Sequence, residues 1–257
     1  MRIAVVSDIH SNLPALEAVL RDLPPDVERI WCLGDVVNYY AHPHECLARL
    51  RDDPRTDIGC WLLGNHDAAV VGVVEAAQIN QYGQATLAYT RAQLSSEERA
   101  FLHGRPLVRE IRVGGIDISL AHGSPADPLW HYVRTPVDAA QAAQDTTCQL
   151  IVVGHTHLAQ AFVGQDGEWQ PVDLHLMHGV LPIGPERLVV NVGSVGQPRD
   201  GNRRAAYLLI DPAQATIVFR RCRYPVTVER RAVWHQMKSS APPALLRDLV
   251  ERLSTGL

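Results

Sequence analysis

Short apolar runs recur through the first two-thirds of the chain, at residues 3–6, 30–33, 60–63, 118–121 and 150–153. Runs this short, bounded by glycine or polar positions, suit buried strands of a largely parallel sheet. The segments between them carry helical spacing. Over residues 12–23, Leu13, Leu16, Val19 and Leu20 share one face, Asn12 is placed to cap, and Pro14 is tolerated in the first turn. Further helices are expected over 43–51 and within 75–103, where Ser95-Ser96-Glu97-Glu98 resembles a restart cap. This alternation predicts βαβ units.

The texture then changes. Residues 107–122 read as a hairpin around Gly114-Gly115, and 158–174 as one around Asp166-Gly167. Residues 187–192, 204–210, 215–221 and 225–229 are further strand candidates. Residues 241–254 predict a terminal helix, opened by Pro242-Pro243 and striped by Leu245, Leu246, Leu249 and Leu253. No Ser/Gly linker, repeat or low-complexity stretch divides the chain. The expectation is an α/β fold of two sheets packed face to face with helices outside. It forms a single domain over 1–257, with 231–257 a peripheral helical extension.

Composition narrows the function classes. The 257 residues are 46% hydrophobic and 20% charged, with a net charge of −4, so bulk nucleic-acid binding is disfavoured. No stretch approaches the roughly 18 uncharged apolar residues of a membrane span. Met1-Arg2 leads straight into the first strand without a signal-peptide pattern. Five cysteines, odd in number and without CxxC spacing, read as reduced thiols in a cytoplasmic protein. A homo-oligomer is compatible with the sequence.

The candidate chemistry lies just past the apolar runs. The motifs are Asp8-Ile9-His10, Gly34-Asp35, Gly64-Asn65-His66-Asp67, His122-Gly123 and Gly154-His155-Thr156-His157. Open α/β folds build sites at the carboxyl ends of strands, so these loops share one sheet edge. Asp35 has two oxygens and can bridge two cations. Asp8 with His10, and His155 with His157, are spaced to turn toward one ion. Asn65 offers an amide oxygen and His122 another imidazole. A mixed N/O set without thiolate suits manganese, iron, nickel or zinc. Two such ions would clamp both oxygens of an in-line phosphoryl displacement.

In that order, these motifs resemble the calcineurin-like metallophosphoesterase superfamily pattern D-x-H, G-D, G-N-H-[DE], H and G-H-x-H. Ser7-Asp8-Ile9-His10-Ser11-Asn12, Leu33-Gly34-Asp35 and Asn191-Val192-Gly193-Ser194-Val195-Gly196-Gln197-Pro198-Arg199 are similar to its small bacterial and archaeal phosphodiesterase branch. The resemblance implies a four-layer αββα sandwich of mixed sheets and a dinuclear site. By position, one metal takes Asp8, His10, Asp35 and His157, and the other Asp35, Asn65, His122 and His155. A hydroxide bridging the ions would attack phosphorus. His66 would stabilise the transition state or protonate the leaving oxygen, with Asp67 orienting its surroundings. The expected cofactors are two divalent transition-metal ions, manganese foremost. The expected substrate is a small-molecule or nucleotide phosphoester.

One departure bears on specificity. Relatives that act as protein Ser/Thr phosphatases or symmetrical dinucleoside tetraphosphatases continue G-D-x-V-D-R-G, whereas this chain reads Gly34-Asp35-Val36-Val37-Asn38-Tyr39-Tyr40. The phosphate-gripping Arg is absent, and Arg199 is its best replacement. His42 and Tyr39 are candidate substrate contacts, and 124–132 a pocket wall or lid. Phosphodiester hydrolysis is the leading expectation. A phosphomonoesterase, a nucleotide pyrophosphatase and a metal-binding non-catalytic module are the alternatives. The complete set of site residues argues against a pure scaffold.

Overall fold

The computed structural model describes residues 1–257. In chain order the elements are β1 (Arg2–Val6), α1 (Leu13–Asp22), β2 (Val27–Cys32), α2 (Pro43–Arg51), β3 (Thr56–Trp61) and α3 (Asn65–Val71). A 3-10 turn (Ala76–Gln78), α4 (Gln81–Gln93), α5 (Ser96–His103), β4 (Val108–Val113), β5 (Ile116–Ala121), α6 (Pro136–Gln144) and β6 (Leu150–Val153) follow. The remainder is β7 (Ala159–Gln165), β8 (Glu168–Pro171), β9 (Val180–Pro182), β10 (Arg187–Val192), β11 (Ala205–Asp211), β12 (Thr216–Cys222), α7 (Val226–Met237) and α8 (Pro243–Thr255).

Two six-stranded mixed sheets form, ordered β3-β2-β1-β11-β12-β9 and β4-β5-β6-β10-β7-β8. The first joins β1, β2 and β3 in parallel and adds β11 antiparallel to β1. The second is parallel through β5, β6 and β10. Strand periodicity splits each run between two layers. Ile3 and Val5 face the other sheet with Leu120, Val152, Val190 and Leu208. Ala4 and Val6 face the helices α1 to α5. Ile151 and Val153 meet α6 on the far side. Each such Ile, Val or Leu contributes about 1.5–3 kcal/mol by leaving water. The result is the αββα sandwich expected from the sequence.

Both hairpins form as their turns dictate. Gly114-Gly115 and Asp166-Gly167 all take positive φ, the combination a two-residue type I′ turn requires. One strand expectation fails. Residues 225–229 begin α7, because Glu229, Val233 and Met237 recur at helical spacing on a buried face, and tertiary packing outweighs the β-propensity of Val226 and Val228. Unexpected too were α3, α6 and β9. For α6 the signal was present: Thr135 and Asp138 form a capping box around Pro136 in the first turn. No helix is long and apolar enough to cross a membrane.

Candidate metal and phosphoester site

Residues of all five motifs converge where β1, β2, β3, β5 and β6 end. Their loops bend sharply: Asp8, His10, Ser11, Asp35, Asn38, Tyr39, His155 and His157 are eight of the eleven non-glycine residues with positive φ. Such backbone costs on the order of 1–3 kcal/mol per residue and persists only where surroundings enforce it. Glycines let the loops close on each other. A Cβ on Gly64 would lie 2.1 Å from Asp35 Oδ1, and one on Gly154 would lie 2.1 Å from Ser7 Oγ.

Backbone carbonyls set the imidazole tautomers. A carbonyl can only accept, so Nδ1 carries the proton in His10 (3.3 Å to Val37 O), His122 (3.0 Å to Leu33 O) and His157 (2.5 Å to Gln197 O). Their Nε2 atoms turn inward. His10 Nε2 and His157 Nε2 lie 3.2 Å apart, and His157 Nε2 lies 3.2 Å from Asp8 Oδ1. Nearby, His122 Nε2 lies 3.2 Å from each of Asn65 Oδ1, His155 Nδ1 and Asp35 Oδ2. Asp35 Oδ2 is also 3.7 Å from His10 Nε2 and so touches both groups. Its other oxygen accepts from the His66 backbone N–H at 2.8 Å.

Lone pairs this close repel unless something positive lies between them. Asp8 Oδ1, Asp35 Oδ2 and His155 Nε2 are buried without a hydrogen-bond partner, which is costly for polar atoms. Burial holds His10 and His155 well below the ordinary imidazole value. Burial opposes ionisation of Asp8 and Asp35 as well, yet the neighbouring His157 and His122, respectively, bring each below the usual carboxylate range. For His122, burial lowers and Asp35 raises; the carboxylate wins and the value climbs to about 9, so that with no cation in place a proton on Nε2 takes the position between the imidazole and the carboxylate. Two triads, Asp8-His10-His157 and Asp35-His122-His155, could each hold a metal ion.

Residues 1–214 match the calcineurin-like phosphoesterase superfamily domain. The chain belongs to this superfamily. It is 36% identical over 229 residues to an uncharacterised protein of Methanocaldococcus jannaschii, spanning 87% of this chain and 88% of that protein. The crystal structure of a metallophosphoesterase from Sphaerobacter thermophilus is similar at TM-score 0.80 and 32% identity over 100% of both chains. A hypothetical protein from Pyrococcus horikoshii OT3 shares the fold, at TM-score 0.76 and 18% identity over 96% of this chain and 97% of that one. The family points to metal-dependent phosphoester hydrolysis, and the two triads are where this phosphoesterase could hold its divalent ions.

Around the triads the calcineurin-like chain arranges further side chains. His66 is buried beside His10, ring centroids 5.0 Å apart. Its Nδ1 accepts from Asn38 Nδ2 at 2.9 Å, so the proton of the neutral ring sits on Nε2. Asn38 is oriented in turn by Thr86 Oγ1, which donates to Asn38 Oδ1 at 2.7 Å. Burial lowers His66 to about 4, keeping it neutral. Asp67 turns away from the triads. Its Oδ1 accepts from Val37 N at 3.0 Å, and burial followed by the Asp35 charge raises it to about 7.

Arg199 faces this cluster. Its guanidinium is gripped by Gln197 Oε1, at 2.7 Å from Nη2, and lies against the Tyr39 hydroxyl. The Tyr39 ring is buried between His10 and His66, each centroid 4.5 Å away, which leaves only its hydroxyl, bonded by Asn80 Nδ2, at the site edge. Tyr132 from the 124–132 segment stacks on His155 at 4.0 Å and carries Arg134 on its ring. That segment therefore walls one side. His42 is not brought to the cluster; its Nδ1 lies 3.0 Å from Glu229 Oε2. Sequence reasoning assigns no role to Asn38, Gln197 or Glu229, since a buried amide or carboxylate leaves no periodic signal.

Proposed function

We propose that this protein is a dinuclear metal-dependent phosphodiesterase. Support comes chiefly from Asp35 Oδ2, a buried and otherwise unbonded oxygen placed between two groups of converging lone pairs. On this reading Asp8, His10, Asp35 and His157 hold one ion, and Asp35, Asn65, His122 and His155 hold the other. Manganese, iron, nickel and zinc all suit these donors. When bound, the ions supply Lewis acidity that activates water and neutralises charge on the phosphoryl oxygens.

The rest is done by side chains. His66, neutral and protonated on Nε2, donates to a phosphoryl or leaving oxygen as charge develops there. Asn38 keeps the proton on that nitrogen. Arg199 grips a non-bridging oxygen, in the role left open by the missing Arg after Asp35. One guanidinium and one neutral imidazole suit the single negative charge of a diester better than the double charge of a monoester.

The test is hydrolysis of bis(p-nitrophenyl) phosphate and p-nitrophenyl phosphate with added manganese, nickel or zinc. Metal-dependent turnover favouring the diester is expected. Preference for the monoester would overturn the diester reading, and equal rates in excess chelator would overturn the metal-dependent one.

A further inference from the structure

Glu229 is a carboxylate with no solvent exposure, and no Arg or Lys pairs with it. Both oxygens serve one short segment. Oε1 accepts from Ala41 N at 3.0 Å, and Oε2 faces His42 Nδ1 at 3.0 Å. That segment follows Asn38 and Tyr39, whose positive φ must be held by their surroundings. A buried carboxylate is tolerated when its oxygens are satisfied, and here the satisfaction requires the 38–42 loop to stay in place.

The loop passes this constraint toward the site. The Tyr40 hydroxyl accepts from Gln197 Nε2 at 2.7 Å, and Gln197 Oε1 grips Arg199. Tyr39, Tyr40 and Ala41 pack with Val233 and Met237 of α7 and with Leu246, Leu249, Val250 and Leu253 of α8. Tyr89 donates its hydroxyl proton to Ala41 O at 2.7 Å. The family match ends at residue 214, so α7 and α8 lie outside it while bearing on the residues that face the substrate.

We propose that Glu229 is a positioning residue, acting through Ala41, Tyr40 and Gln197 to aim Arg199 at the substrate phosphate. This rests on the phosphodiesterase reading and on Arg199 as its phosphate contact. Glu229→Gln keeps an acceptor for Ala41 N and, at a pH where the His42 ring is neutral, offers a donor to its Nδ1, so measured there it retains wild-type KM and kcat. Glu229→Ala leaves Ala41 N unpaired and loosens the grip on Arg199. Arg199 binds phosphate in ground and transition states alike, so KM for the diester rises about tenfold while kcat changes less.

The test is a double-mutant cycle on KM with Arg199→Ala, read beside metal content and thermal unfolding. Acting through Arg199, Glu229→Ala adds nothing to KM once Arg199 is gone. Multiplying effects in the double variant, or a KM unchanged in Glu229→Ala while Arg199→Ala raises it, would overturn the proposal. If Arg199→Ala itself leaves KM unchanged, the Arg199 contact fails and the relay fails with it. If diester turnover is absent from the wild type, the underlying reading fails instead. Should Glu229→Ala not fold, Tyr40→Phe removes the hydroxyl that accepts from Gln197 and must give the same non-additive KM rise; additivity there would overturn the proposal.

Discussion

The side-chain amide of Asn38 donates to His66 Nδ1 at 2.9 Å and thereby decides which imidazole nitrogen carries the proton. Thr86 holds the other end of that amide. An acceptor at position 38 would reverse the assignment.

Asn38→Asp makes that reversal. A carboxylate requires a proton on His66 Nδ1, so the inward Nε2–H survives only in the imidazolium, whose pKa the new charge raises from about 4. Activity is then present at low pH and falls as pH rises through the raised value, adding an alkaline limb. A kcat–pH profile checks this. Asn38→Ala leaves the ring unoriented and lowers kcat by roughly tenfold or more without a new limb.

Gly83 on α4 abuts the same histidine. A Cβ there would stand 2.6 Å from His66 Cε1. Gly→Ala in a helix gains about 1 kcal/mol, whereas overpacking costs about 1–3 kcal/mol, so the clash wins. Gly83→Ala lowers kcat and leaves metal content unchanged. Metal analysis beside steady-state kinetics checks it.

Chelation tests the buried lone pairs. Removing ions that bind only the folded state withdraws about 2.7 kcal/mol at a hundredfold excess over Kd. The melting temperature falls on chelation and recovers on adding manganese. Asp35→Asn, which weakens the oxygen shared by both triads, abolishes most of that recovery.

His42 supplies a pH dependence away from the metals. Burial lowers its pKa and the Glu229 carboxylate raises it, with a net value above the ordinary 6.5. The stabilisation is therefore fully present below 6.5 and is lost as pH rises through the folded-state value. The melting-temperature gap between wild type and His42→Ala narrows over that interval.

The fold was legible because its signals are local. Four-residue apolar runs mark the inner strands β1, β2, β5 and β6 and the end of the edge strand β3, Gly114-Gly115 and Asp166-Gly167 mark turns, and Asn12 marks a cap that forms, accepting from Ala15 N. The motif residues were legible because their types and order are unusual. What stayed hidden depends on distant contacts. Asn38 read only as a departure from a relative's Asp, although its amide lies against a histidine twenty-eight positions later. His42 looked like a pocket residue because its partner, Glu229, sits 187 positions away. Residues 225–229 alternate like a strand and become a helix through the burial of Glu229, Val233 and Met237.

The most direct test of the phosphodiesterase account is the kcat of His66→Ala on bis(p-nitrophenyl) phosphate, with metal content measured on the same sample. The expected result is a loss of about 10²–10⁴-fold with metal content equal to wild type. Wild-type turnover in His66→Ala at equal metal content would contradict the account.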